Sequence, residues 1–295
     1  MSNIKYGGSL SSAEWSARAF PHSAVHASSL AVTPLEVLDL DGHVHAHGTG
    51  FVYRIGGRPY FVTAWHVLTG TNFFSGQKNP TGLIPRQVRF FAPTFSQVDA
   101  KLNLGSVPFI LDLKEKALEI LANPPTVFGV PVDVAVGELP VHVEKAGLFT
   151  SKGLNEFEWG FAERAETPIH TMIGAEIFVL GYPLTTYEGL RTPIWKRGAL
   201  ASEPSFAIEP KCSFLLDVNT TGGMSGGPII RRVTTMTAHN QDEGVVQEYY
   251  DEAVIGVYSG RALSPKEPSF VLGYGWPIDL VHEIVRTSQC FSGTG

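Results

Sequence analysis

Short apolar runs, cut at nearly every end by glycine or proline, constrain this chain more than any other feature. Phe51 to Ile55, Tyr60 to Ala64, Glu176 to Gly181, Ile194 to Leu200 and Ala253 to Ser259 are each five to seven residues long. Runs of that length, rich in β-branched and aromatic residues, read as strands, because helices need longer periodic stretches. Gly 31 and Pro 20 among 295 residues are spread between the runs and not gathered in a linker, so turns recur along the whole chain. Asp41-Gly42 and Gly56-Gly57 mark two tight hairpins. Further strands are expected over Ala31 to Leu40, Gln87 to Ala92, Pro108 to Leu113, Val132 to Val136, Ser213 to Val218, Pro228 to Arg232 and Phe270 to Trp276. Helix is expected over Leu113 to Leu121 and over Pro277 to Arg286, where Ile278, Val281, Ile284 and Val285 recur at helical spacing. The chain is therefore expected to be all-β, closed by a C-terminal helix.

Charge and patterning exclude several function classes. Lys and Arg total 22 against 28 acidic residues, a net charge of −6 with no block of like sign, which disfavours nucleic-acid binding. No apolar stretch reaches the roughly 18 residues of a membrane span. The opening Met1 to Gly8 lacks the apolar core of a secretory signal, so a cytoplasmic location is expected. Cys212 and Cys290 have neither metal-ligand nor CxxC spacing and read as free thiols.

The most specific local signal is Thr220-Thr221-Gly222-Gly223-Met224-Ser225-Gly226-Gly227-Pro228. Four glycines around one serine let the backbone turn sharply, so that a hydroxyl projects while nearby N–H groups converge on one point. Acyl transfer needs that combination of nucleophile and oxyanion donors. A serine also needs a base, and His66 stands at the end of the apolar run Tyr60 to Leu68, where an unpaired imidazole would be costly. The base in turn needs a carboxylate to hold its tautomer. Asp133 is the best candidate, being the lone acid in Val130 to Val136; Asp99 and Asp112 compete, each with a lysine within two residues.

In the order His, Asp, Ser, these residues resemble the chymotrypsin-like serine proteases. Thr63-Ala64-Trp65-His66, Asp133-Val134-Ala135-Val136 and Gly223-Met224-Ser225-Gly226-Gly227-Pro228 match the three hallmarks of that family. Four further segments resemble its bacterial members: Gly48-Thr49-Gly50, Gly181-Tyr182-Pro183, Val254 to Gly260, and Gly273-Tyr274-Gly275-Trp276-Pro277-Ile278, the last at the place of the HtrA-type motif before the terminal helix. Asp217 to Ser225 and Trp195 are similar to the glutamyl endopeptidases. The resemblance implies two antiparallel β-barrels of chymotrypsin-like type with the site between them: an arm over 1–27, a first barrel over 28–140, a connection over 141–164, and a second barrel with its helix over 165–295. It also implies a serine endopeptidase acting on protein or peptide substrates, with Gly223 and Ser225 supplying the oxyanion hole and no cofactor. Val67 replaces a disulfide cysteine of the animal enzymes, and Met224 replaces the aspartate of their N-terminal activation switch.

By the same resemblance the primary specificity pocket falls to Asn219, Thr220, Tyr258, Ser259, Gly260 and Arg261, which favours cleavage after acidic or small polar residues. His43, His45 and His47 would share one face of an extended strand. Zinc can use such a face, but no fourth ligand is identifiable, and no metal site is expected. A binding module that keeps the barrels without cleaving, and a protease triggered by an activating protein partner, are the alternative functions.

Overall fold

The computed structural model describes residues 25–78, 85–98, 101–139, 153–157, 173–184, 190, 192–203, 213–238, 246–264 and 267–292. The expected all-β, two-barrel class is the class observed, with one barrel closed by hydrogen bonds and the other a curled sheet.

The first half begins with a helical turn, α1 (Ala27–Leu30), and runs through β1 (Val32–Leu38), β2 (Val44–Ile55) and β3 (Arg58–Thr63). A short helix, α2 (Trp65–Thr69), leads on to β4 (Gln87–Val98), β5 (Lys101–Asp112), α3 (Glu115–Leu121), the small ribbon β6 (Thr126–Val127) with β7 (Val130–Pro131), and β8 (Ala135–Glu138). After a 3₁₀ turn at Leu154–Phe157 the second half comprises β9 (Glu176–Gly181), β10 (Ile194–Leu200), β11 (Phe214–Asp217), β12 (Pro228–Ala238), β13 (Val246–Ser264) and β14 (Glu267–Pro277). The amphipathic α4 (Asp279–Arg286) and a two-residue β15 (Phe291–Ser292) complete the described chain.

In the second half the order β10-β11-β14-β13-β12-β9 closes on itself. Every pair in it is antiparallel, as hairpin connections require. Ile177, Val179, Leu200, Phe214, Leu216, Val218, Met224, Ile229 and Tyr258 fill its interior. The first half is one sheet, ordered β15-β8-β3-β2-β1-β4-β5. Side chains from one edge to the other, Phe291 on β15, Phe61, Leu35, Phe90 and Leu111 on β5, meet in one cluster, so the sheet curls around a common core. A second cluster, with Phe51, Val62, Tyr182, Val257, Trp276 and Ile284, joins the two halves and seats α4.

Two expectations are corrected. The sequence places His66 at the end of a strand, but β3 stops at Thr63 and His66 lies in α2, which is closed by Gly70 in the left-handed region. The C-terminal segment is more than a helix: β15 pairs in parallel with β8, and Phe291, 1% exposed, belongs to the core of the first half. The expected connection over 141–164 is described only at residues 153–157, where Leu154 is buried and Asn155 Nδ2 donates to the Arg54 carbonyl at 2.8 Å. Cys290 is a free thiol, while Cys212 lies outside the described residues. No described helix is long and apolar enough to cross a membrane.

Candidate active site

Asp133 sits in the bend just before β8 and is completely buried. A buried carboxylate without partners would be prohibitive, and this one is fully engaged. Oδ1 accepts the backbone N–H of His66 at 2.8 Å, and Oδ2 lies 2.7 Å from His66 Nδ1. The hydroxyl of Ser259 donates to the same Oδ2. Because one carboxylate holds both the backbone and the ring of His66, the start of α2 and the orientation of its imidazole are set together. With the carboxylate ionised, Nδ1 carries a proton and donates it, leaving Nε2 free to act as a base. Burial disfavours the imidazolium, but the charge of Asp133 and its hydrogen bond outweigh that cost and hold His66 above the ordinary histidine value of 6.5.

Ser225 lies beside Gly260, the residue of β13 that follows Ser259. Ser259 is buried on β13, and a Cβ placed on the next residue, Gly260, would lie 3.8 Å from Ser225 Oγ. The fold thus brings Ser225, His66 and Asp133 to the two sides of one stretch of β13. Ser225 is half-buried and His66 retains 27% side-chain exposure, so both are open to a ligand. Of the competing acids, Asp112 is exposed and binds Gln87 at the end of β5, and Asp99 lies outside the described residues.

The serine loop is held from both halves. Thr49 N–H donates to the Ser225 carbonyl at 2.8 Å, and Thr49 Oγ1 donates to the Gly223 carbonyl at 2.8 Å while accepting from Tyr182 N–H at 3.0 Å. On the other side, Gly226 N–H donates to the Tyr258 carbonyl at 2.7 Å, and Tyr258 N–H to the Gly227 carbonyl at 2.8 Å. The Gly222 carbonyl accepts from Leu184 N–H at 2.9 Å. A trans peptide then directs the Gly223 N–H away from Leu184. Gly223 has φ +93, and a Cβ there would come within 2.4 Å of the Tyr182 carbonyl oxygen, so only glycine sustains this peptide orientation. Met224, fully buried, plugs the loop into the apolar interior of the second barrel.

Gly226 makes the same point more sharply. Its φ is +86, and a Cβ would lie 2.1 Å from Thr63 Oγ1 and 2.2 Å from the Thr49 carbonyl oxygen. We expect Gly226→Ala to destabilise the protein by about 3 kcal/mol, combining left-handed strain with a clash against backbone. A urea midpoint unchanged from that of the unmodified protein would contradict this packing.

Thr49 is the residue that sequence reasoning missed. It stood within a match made on its flanking glycines, whereas its hydroxyl and amide are what join β2 to the serine loop. Ser259, grouped from the sequence with the pocket, also donates its hydroxyl to Asp133. The other expected pocket residues divide: Thr220 and Tyr258 are buried with their hydroxyls hydrogen-bonded to each other, while Asn219 and Arg261 are exposed. Burial pushes the Tyr258 hydroxyl up, and the Thr220 hydrogen bond and the nearby Arg261 charge pull against that rise.

No protein-family model matches the chain, and no curated protein matches its sequence. Solved structures do resemble it. One is the Rv3671c protease from M. tuberculosis in its active form, at 17% identity and TM-score 0.43 over 94% of this chain and 87% of that one. Another is the thermostable serine protease AL20 from an extremophilic microorganism, at 17% identity and TM-score 0.45 over 89% of this chain and 98% of that one.

Proposed function

We propose that this protein is a serine endopeptidase that cleaves peptide bonds through an acyl-enzyme on Ser225. The observation that carries this reading is the double grip of Asp133 on His66, at 2.8 and 2.7 Å, beside a glycine-framed serine. In this reading His66 Nε2 takes the proton of Ser225 as Oγ attacks the substrate carbonyl, and the tetrahedral oxyanion is met by the N–H groups of Gly223 and Ser225. One such donor contributes on the order of 3 kcal/mol of barrier lowering. His66 then returns the proton to the leaving amine, the acyl-enzyme forms, and a water activated by the same nitrogen releases it. Asp133 orients the ring and stabilises the imidazolium that forms in each half-reaction. Throughout, the residues at work come from both halves of the fold.

A fluorophosphonate probe followed by peptide mapping tests the assignment. We expect one adduct, on Ser225, absent from His66→Ala. Failure of the intact chain to label, or an adduct on another serine, would count against it.

Specificity belongs to the same reading. The pocket is taken to be bounded by Asn219, Thr220, Tyr258, Ser259, Gly260 and Arg261. Thr220 and Tyr258 are buried with their hydroxyls bound to each other, and in this reading the exposed Arg261 supplies positive charge at the rim. Cleavage after acidic or small polar residues is expected in a peptide-library profile. Dominant cleavage after Lys, Arg or a large aromatic residue would discard this pocket and leave the catalytic assignment standing.

A further inference from the structure

Beyond α4 the chain turns back and takes hold of the segment that carries Asp133. Ser288 makes the turn. Its φ is +57, in the left-handed region where glycine is usual just past a helix. The reversal is closed by the Ser288 N–H on the Val285 carbonyl at 3.1 Å and the Gln289 N–H on the Ile284 carbonyl at 3.0 Å. A residue with a side chain persists in that conformation only where its surroundings over-determine it. Here the surroundings are the contacts that Gln289 and Phe291 make with the first half of the fold.

Gln289 holds the backbone of one residue at both its polar groups. Oε1 accepts the Thr126 N–H at 2.8 Å, and Nε2 donates to the Thr126 carbonyl at 2.9 Å and to Thr287 Oγ1 at 2.7 Å. Thr126 opens β6 and pairs with Pro131 of β7, and the Val132 N–H donates to the Pro125 carbonyl at 2.9 Å. The residue after Val132 is Asp133. On its other side Phe291 grips β8: it pairs with Gly137, and a Cβ on Gly137 would come within 2.5 to 3.0 Å of three atoms of the Phe291 ring. β8 thus lies between β15 and β3, whose Thr63 pairs with Ala135. Between the two grips, Val132 and Val134 flank Asp133 and are fully buried in one cluster with Leu280, Val281 and Ile284 of α4.

We infer that Gln289 and Phe291 are positioning residues for Asp133, and that the C-terminal strap they form fixes the bend before β8 and with it the hold of Asp133 on His66. The need for such a fixture lies in the double grip. Asp133 meets the backbone N–H and the ring of His66 at 2.8 and 2.7 Å together, so a small shift of its backbone breaks at least one of the two hydrogen bonds. Any effect on turnover rests on the peptidase reading; the hold on Asp133 does not.

The test uses the full-length protein with Gln289→Met, which keeps the length of the side chain and loses both hydrogen bonds to Thr126, with Phe291→Leu, and with the two combined. Leu111→Val is the reference, because Leu111 shares a cluster with Phe291 but stands on β5 at the other edge of the sheet. Proton NMR follows the His66 Nδ1 proton that faces Asp133, assigned by its loss in His66→Ala, at a temperature where circular dichroism shows every variant folded. We expect this proton to exchange with water at least about tenfold faster in the double variant, because local opening of the bend exposes it, and at the parental rate in Leu111→Val. In the same samples kcat should fall by about tenfold with KM unchanged, a part of the roughly 10²-fold that an ångström of misplacement costs. Should the double variant fail to fold, Gln289→Met alone, which leaves the core intact, carries the comparison. Exchange at the parental rate without the strap contacts, or equal acceleration in Leu111→Val, would overturn the inference. An unmodified protein that turns over no peptide would instead remove the peptidase reading, and the exchange rates would still decide the role of the strap.

Discussion

Ser225→Ala is expected to lower peptide turnover by about 10⁴- to 10⁶-fold while leaving thermal unfolding where it was. The two halves of that expectation have separate causes. The hydroxyl is the group removed, and in the proposed mechanism it is the attacking nucleophile. The structural duties at this position belong to the backbone, whose carbonyl accepts from Thr49 N–H, and alanine retains that carbonyl. Ser225 is half-buried, so loss of Oγ leaves no sealed cavity. In the proposed mechanism the Gly223 and Ser225 N–H groups survive as well, so a residual rate above that of water alone is expected. Measured kcat/KM within about tenfold of the parent, alongside an unchanged melting curve, would remove Ser225 from the chemistry.

How much of this was readable beforehand differs from element to element, for physical reasons. The bounds of β9 and β10 agree with the apolar runs Glu176 to Gly181 and Ile194 to Leu200, because both strands are bounded by turns and packed on a core. The hairpins β4–β5 and β12–β13 run well past the expected Gln87 to Ala92 and Pro228 to Arg232. Their outer ends pair only with each other, and backbone hydrogen bonding of that kind imposes no apolar alternation. β15 left no periodic signal, since two residues cannot, and only its parallel pairing with β8 shows why Phe291 is apolar. Within the candidate site, the pairing of His66 with Asp133 was legible from residue type and spacing. The hydrogen bonds that hold the serine loop were not, because Thr49 meets Gly223 across 174 residues.

Asp133→Asn is the substitution that separates electrostatics from shape. The His66 backbone N–H still requires an acceptor, so the amide oxygen of asparagine takes the place of Oδ1 and its NH₂ takes that of Oδ2. A donor then faces Nδ1, the ring keeps its proton on Nε2, and His66 cannot accept one from Ser225. Turnover is expected to fall by about 10⁴-fold with the fold intact, the magnitude known for this change of tautomer. The pH profile gives a second readout. In the parent, Asp133 holds His66 above 6.5, so kcat/KM should rise with pH through that elevated value as the imidazolium loses its proton. Stability runs the other way: the imidazolium–Asp133 pair contributes fully below the unfolded histidine value and is lost as pH rises through the folded one. Removing the charge should shift the acid limb of the residual activity to lower pH and flatten the stability change across the same window. A variant with parental turnover, or with its acid limb unmoved, would transfer the role of the carboxylate away from Asp133.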